Sequence, residues 1–565
     1  MKIWTHNIVF CLMLVSSVAC REDNIPESND PVVNPPHIEE TNTIYNGIIL
    51  PEQWPPRRSS TSDLEKGMLP FYLSSKPDII DISVGRQLFV DDFLIASTSL
   101  KRIYYYPEYS SVNPVLTADK EWEKVGDKGA AFTAPFSDGV WYDEKSGKFK
   151  MWYMAGGGSY STKNAGVMCY AESADGVVWT KPSLPVVNGT NIVDYNSERD
   201  ASTVWIDKQE ANVSKRYKMF LSEKKDTKWQ YTYKISSDGI TWREVASSKP
   251  TADRSTVYKN PFRNVWSYSI RHNVRVRANK LVRARDYSEY SDPVIGTKNA
   301  EAVLSSFWFG PWPNELRHPR YHDVSPAIYN LDAVPYESIM LGLFSIWQGP
   351  ENDICAAENE IKRNQIMVGY SRDGYSWFRE DMNPFMAVNE TLGAWNYGNL
   401  QSVAGTPLII GDKLYFYLSG RRLTEEGQEV TTTGLATLRR DGFASMKGTG
   451  ELETPTVKFT GNYFYINANV NGGMKVELLN SDGTVILGYS KNDCVIIKGD
   501  CVKQKVEWKS NKTLSGLENR KIKIKFYVTN GELFSFWISP ESTGESQGYT
   551  AGGGPGLHES GLDKK

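Results

Sequence analysis

Three copies of one seven-residue pattern, Ser-x-Asp-Gly-x-x-Trp, constrain what this 565-residue chain can fold into. They occupy residues 173–179, 236–242 and 371–377. An Asp-Gly pair suits a tight turn with positive φ, and the flanking residues alternate as strands do. The Trp is placed to pack the returning strand on its neighbour. The three Asp residues are 63 and 135 residues apart, and a degraded copy, RRDGF, follows at 439–443. A β-unit recurring about every 65 residues is the signature of a propeller blade. The doubled gap holds one blade with an eroded turn, read here as RARDYSEY at 283–290. Five blades are expected.

A second feature tests that count. Aromatic and aliphatic runs of high β propensity occur five times, at 148–156, 216–223, 265–272, 338–347 and 413–421. Each follows a polar turn and an earlier strand, beginning at Asp138, Asp200, Asp253, Asp323 and Gln401. From about Leu452 the pattern changes to short alternating strands and hairpins, which predicts a C-terminal β-sandwich. The expected fold is therefore all-β: a five-bladed β-propeller over 79–450, then a sandwich over 451–545. Residues 21–78 have the Pro, Asn and Glu content of a disordered tether, and 546–565 of a disordered tail.

The first twenty residues are expected to be a targeting segment. Lys2 precedes an apolar stretch at 8–15, and Ser-Val-Ala precedes Cys20. This resembles a bacterial lipoprotein signal with Cys20 as the lipidated residue. The acidic run that follows resembles the export signal of Bacteroidetes surface lipoproteins. The expected location is the outer membrane or cell surface, with a lipid anchor as the membrane contact. Cys494 and Cys501 flank a possible hairpin and are candidates for a disulfide, while Cys169 and Cys355 suit small buried positions. Their spacing makes no zinc site, and neither metal nor cofactor is expected. A net charge of −3 argues against nucleic acid as a partner. Seventeen Trp and 31 Tyr suit a carbohydrate partner, because aromatic faces stack on sugar rings.

In an antiparallel pair the start of one strand and the end of its partner share an edge. Residues opening the first strands should therefore meet those closing the second strands at one mouth of the axis. The openers include Asp138, Asp200 and Asp253, and the closers include Glu223, Arg271, His272, Trp347 and Arg421. Arg199 and Arg254 adjoin Asp200 and Asp253 and can hold a carboxylate or a sugar hydroxyl. Acids gathered with arginines and aromatics suit glycoside cleavage, in which one acid protonates the leaving oxygen while a carboxylate attacks or activates water. Trp308, in the insertion after the third blade, is a candidate sugar-stacking residue.

This layout resembles glycoside hydrolase families 32, 43 and 68, and is closest to family 32. Asp138 in PFSDGVWYD matches the position of that family's nucleophile. Arg199-Asp200-Ala201 is similar to its Arg-Asp-Pro motif, and Asp253-Arg254 stands where the family has Glu-Cys. The resemblance implies a glycosidase with Asp138 as nucleophile or base and Asp200 as stabiliser of the transition state. The acid is then Asp253 or Glu337, the latter expected near the opposite mouth. A surface lipoprotein that binds glycans without cutting them, or a phosphorylase holding phosphate on Arg271 and Arg421, are the alternative readings.

Overall fold

The computed structural model describes residues 42–64, 66–124, 131–156, 166–195, 199–275, 281–300, 305–424 and 427–565. Cys20, the signal segment and residues 21–41 lie outside them. The chain is all-β, and the main strands between residues 131 and 439 fall into five successive antiparallel groups. The first contains Ala131–Ala134, Val140–Asp143, Lys148–Ala155 and Val167–Ser173; the second Arg199–Ile206, Tyr217–Lys225, Lys228–Ser236 and Arg243–Ser247. The third contains Thr256–Asn260, Val265–Arg275, Leu281–Tyr290 and Ser306–Phe309; the fourth Ala327–Glu337, Ile339–Gly349 and Arg363–Ser371. Asn399–Val403, Leu408–Ile410, Lys413–Leu423 and Glu429–Arg439 make the fifth.

The repeated turns do more than reverse the chain. In each, the Asp carboxylate accepts from two amides that follow it: Val177 and Val178 on Asp175, Ile240 and Thr241 on Asp238, Tyr375 and Ser376 on Asp373. This is the Asx geometry that makes Asp the residue of choice there. The Gly carbonyl then accepts from an aromatic residue of the preceding group: Trp152 Nε1 on Gly239 at 2.7 Å, Tyr258 on Gly374 at 3.1 Å, Tyr417 on Gly176 at 2.5 Å. The last of these joins group five to group one. Group two reaches group three through Trp205 Nε1 and the Val257 carbonyl, and Asn364 pairs with Asn399 between groups four and five. The groups thus close into a ring. Residues 108–116 seal it by pairing with Glu429–Arg439 at Thr433, Ala436 and Thr437.

RARDYSEY is not a turn. It is the body of strand Leu281–Tyr290, because its alternating side chains pair residue for residue with Val265–Arg275. A short helix, Pro293–Asn299, capped by the Asp292 side chain, follows where a Ser-x-Asp-Gly turn would stand. The first strand of group four begins at Ala327, so Asp323 does not open it and lies exposed in the loop before Pro326.

A second core lies between the C-terminal strands and the N-terminal segment. Strands Tyr463–Asn480 and Ile522–Ser539 are each 18 residues long, and their pairing shifts register between Val470 and Gly473. Such a bulge bends the ladder, and the apolar side chains on both sides of it enclose one core with Trp508 and Val506. Its sheet takes in Ala444–Glu453, directly after the RRDGF turn, together with short strands between Ile80 and Tyr104. The tether and tail expected over 21–78 and 546–565 are folded wherever the structure describes them. Ile44, Ile48, Leu50 and Tyr72 sit in the second core, and Ser546, Thr550 and Asp563 are buried. Their polar composition hid a few well-placed apolar anchors. All four cysteines of the described residues are free; Cys494 pairs with Trp508 and Cys501 with Ala468, which leaves no disulfide between them.

Ion pairs lock this second core to the ring. Arg86 donates to Asp441 at 3.0 Å and lies 4.0 Å from the Trp537 ring, while Arg440 holds Glu337 at 2.9 Å and Asp563 at 3.1 Å. Asp441 also accepts from Tyr336, Ser535 and Asn467. Burial acts to raise its pKa, yet Arg86 and Arg440 hold it below the usual carboxylate range. Replacing Arg86 by Leu would strand two buried carboxylates; we expect a loss of about 3–5 kcal/mol in denaturant unfolding. Gly239 has φ +79° and a Cβ there would come within 2.5 Å of Trp152. Gly239→Ala is expected to cost on the order of 1–3 kcal/mol by the same measurement.

Candidate active site

Residues 136 and 137 identify the axis of the ring, because they belong to group one and touch three other groups. The Phe136 amide donates to Ser419 Oγ of group five at 2.9 Å, and Ser137 Oγ accepts from Asn330 of group four at 2.8 Å. The Arg254 guanidinium of group three lies 4.2 Å from the Phe136 ring. Phe136 is fully buried with φ +38°, in the left-handed region that costs a bulky residue energy. It also stands 5.5 Å from the Arg421 guanidinium, so one ring is flanked by cations from groups three and five.

Around that point acids and arginines alternate from group to group. Asp138 Oδ1 accepts from Arg199 Nη2 at 2.6 Å; the next residue, Asp200, holds Arg254 Nε at 2.7 Å; the residue before that arginine, Asp253, is paired with Arg271. Arg199 further donates to the Asp200 carbonyl at 3.2 and 3.1 Å. The local reason is the register. Arg199 stands opposite Glu223 at the open end of group two, where the ladder slips between Arg199 and Ser202. That slip turns Arg199 towards group one and Asp200 towards group three. Thr256 stands opposite Ser269, which brings Asp253 alongside Arg271.

Burial grades this chain. Asp138 is fully enclosed, Asp200 and Arg254 are nearly so, and the Asp253 and Arg271 side chains are 20% and 17% exposed. The mouth therefore opens at group three. Burial lifts the Asp138 carboxyl to about 6, against the pull of Arg199 and then Arg254. Its Oδ2 has no hydrogen-bond partner among the described residues.

Several expected residues lie here. Trp347 packs on Tyr329 in a small cluster with Val282 and Ala327, and stands opposite Ala327 as the edge argument requires. Arg421 stands opposite Asn399 and donates to Glu429 at 2.9 Å. His272 is half-buried and bonded to Asp286 at 2.9 Å, which raises its pKa. Two expected residues lie elsewhere. Trp308 is in the core between Tyr375, Phe309 and Trp377, with Nε1 on the Tyr375 carbonyl at 3.0 Å; an aromatic loop residue was buried because it completes that packing. Glu337 sits in the turn of its hairpin at φ +50°, saturated by Arg440, Ser546 and the Arg86 amide. It is a structural anchor at the opposite end of the strand.

Asp332 was not anticipated. It lies inside strand Ala327–Glu337, is bonded by Asn330 at 3.1 Å, and faces an axial cavity of about 10 Å³ lined also by Ser137, Thr203 and Thr256. That is room for a single water. Burial raises its carboxyl to about 7, only partly offset by Ser137 and Asn330. An Asp two residues after Asn330 in a mostly apolar strand is the available signal. Tyr329, Arg283 and Arg285 were also missed, the two arginines because their segment was read as a turn. Among the described residues no cluster of three or more His, Cys, Asp or Glu side chains could hold a metal, and no helix is long and apolar enough to cross a membrane.

A raised carboxyl disfavours the folded state once ionised. Wild-type stability should therefore fall as pH rises from about 4 to 7, where the unfolded Asp332 has lost its proton and the folded one keeps it. Asp332→Asn lacks this term. Its stability relative to wild type should climb by up to about 1.4 kcal/mol per pH unit in that window, read from urea melts at several pH values.

No family model matches the chain, and no curated protein is significantly similar to it in sequence. Solved structures with some likeness include a glycosyl hydrolase from Bacteroides ovatus, 11% identical, covering 59% of this chain and 94% of that one at a TM-score of 0.34. A fructofuranosidase from Schwanniomyces occidentalis complexed with fructosylnystose is 12% identical, covering 77% and 98% at 0.35. A third comes from work on the GH130 family of mannoside phosphorylases, which contains hydrolases of β-1,2 mannosidic linkages in Candida mannan; it is 11% identical, covering 60% and 94% at 0.35. Likeness at this level assigns no chemistry to this chain.

Proposed function

We propose that the five strand groups are the blades of a five-bladed propeller, and that the chain is a glycoside-cleaving enzyme acting on an extracytoplasmic glycan at the mouth of its axis. The observation that carries this reading is the alternation Asp138–Arg199, Asp200–Arg254, Asp253–Arg271 across three successive groups. Glycoside cleavage needs two carboxyl groups in different protonation states around a cationic transition state. Asp253 stands where the cluster meets solvent and Asp200 lies just beneath it across Arg254, and these two are the pair that would meet a sugar. Asp200 supplies the negative charge that stabilises the oxocarbenium-like state, and Asp253 exchanges the proton with the leaving oxygen. Asp138 lies one layer deeper and acts as a positioning residue, since it aims Arg199 and through it the Asp200 backbone. Trp347 and Tyr329 provide an apolar wall beside them.

The expected location at the cell surface belongs to this proposal, with Cys20 as the lipid anchor. The test is incubation of the chain lacking residues 1–20 with plant and microbial polysaccharides, reading released sugars. Asp200→Asn keeps size and removes charge, so turnover should fall by about 10²–10³ while the protein stays folded. Wild-type protein that binds a glycan tightly yet releases nothing from any polysaccharide would instead support the binding-protein reading.

A further inference from the structure

The third group presents a like-charged face that pairing alone would disfavour. In its central hairpin Arg271 stands directly opposite Arg285, and Arg283 stands opposite Asn273. Side chains two apart on a strand share a face, so all three arginines project together. Like charges set directly opposite weaken a ladder. Arg254 joins them from the preceding loop, with its carbonyl accepting from Arg285 Nη2 at 2.8 Å. Arg254 and Arg283 approach one ring, Tyr329, at 5.6 and 4.5 Å.

The negative charge nearby does not match this. Asp200 holds Arg254, and Asp253 holds Arg271. Asp286 projects from the other face, onto His272. Arg285 is bonded to Ser269, to the Arg254 carbonyl and to Asn330, with no carboxylate among them. Arg283 is tied down by its strand pairing, and its buried Nη1 has no hydrogen-bond partner among the described residues. Among the described residues, one buried Nη1 donor is left over on each of Arg254, Arg283 and Arg285. The surplus is felt by its neighbours. Arg271 is pulled down to about 10 by burial and then by Arg283. Burial would raise the Tyr329 hydroxyl, but Arg283, Lys362 and Arg254 bring it below its usual range. Guanidinium forks with unused donors, converging beside an aromatic face, are complementary to a planar or tetrahedral oxyanion.

We infer that this mouth binds an oxyanion carried by the glycan itself, the carboxylate of a uronic acid or a sulfate ester, held by Arg283 with Arg254 and Arg271. The inference rests on the glycoside-cleaving reading and narrows its substrate class to acidic polysaccharides. Inorganic phosphate offers the same chemistry from another source, and the experiment separates the two.

The chain lacking residues 1–20 is titrated calorimetrically with a galacturonate trisaccharide, a sulfated galactan oligosaccharide, the neutral galactan oligosaccharide and inorganic phosphate. The acidic sugars should bind, more weakly as salt is raised, and the neutral sugar should not. Arg283→Gln should weaken acidic-sugar binding roughly 10- to 100-fold, and Arg283→Lys should restore part of it. The glutamine variant relieves like-charge repulsion, so its Tm should equal or exceed that of wild type. Equal binding of neutral and acidic sugars, or an Arg283→Gln variant that binds acidic sugars as wild type does, overturns the inference. So does binding of phosphate alone with sugar phosphate as the released product. Acidic-sugar binding without any cleavage leaves this inference standing and removes the enzyme reading. Cleavage of neutral glycans that needs Asp200 but not Arg283 does the reverse.

Discussion

Four charged side chains, Asp138 with Arg199 and Asp200 with Arg254, hold the first three strand groups together at the axis, and Asp253 with Arg271 extends the line within the third. Buried ion pairs of this kind contribute little net stability, because desolvation offsets most of the Coulombic gain. Their effect is on arrangement. Asp138 has one cation within bonding distance, Arg199 from the next group, and Asp200 has Arg254 from the group after that. Any rotation of one group against the next would leave a charge unmatched in a buried setting. The register of the ring thus follows from a matching of charges, and the groups that set the register are the ones exposed at the mouth.

A second ion network, around Glu337 and Asp441, does a different job with the same chemistry. There every carboxylate oxygen is bonded, by Arg86, Arg440, Tyr336, Ser535 or Ser546. Saturation marks it as structural. It ties together a strand start near residue 86, the hairpin turn of group four, the RRDGF turn and the C-terminal segment. A similar role falls to Asp91, held by Arg372 of the third Ser-x-Asp-Gly turn at 2.7 and 2.9 Å. At the axial mouth, by contrast, carboxylate oxygens of Asp138 and Asp332 have no hydrogen-bond partner among the described residues.

The three Ser-x-Asp-Gly turns also explain how a ring closes without covalent help. Each turn uses its own side chain to satisfy its own amides, which frees the Gly carbonyl to accept from the neighbouring group. Tyr417 on Gly176 is that bond at the closure, where chain ends meet, and residues 108–116 add strand pairing beside it. Glycine is needed at Gly239 on two counts, its left-handed backbone and the Trp152 ring that packs where a Cβ would be.

How much of this was legible in the chain follows from the range of each interaction. The strand pairs and the turns were readable because alternation, Asx turns and Gly are local, and the ten expected strands all appear. Asp138, Asp200 and Asp253 could be placed at one mouth from strand edges alone, since antiparallel pairing is a geometric rule. Three things needed the tertiary structure. Residues 42–78 read as a tether because the core that Tyr72 and Ile48 join is completed by strands near the other end of the chain. Glu337 and Trp308 looked functional because nothing local reveals that Arg440 or Tyr375 will saturate them. The segment holding Arg283 and Arg285 reads as a turn because the spacing of the other turns leaves a gap there; only its pairing with Val265–Arg275 shows it to be strand. Local chemistry is written in neighbouring residues; burial and the identity of a charge's partner are decided only when distant segments meet.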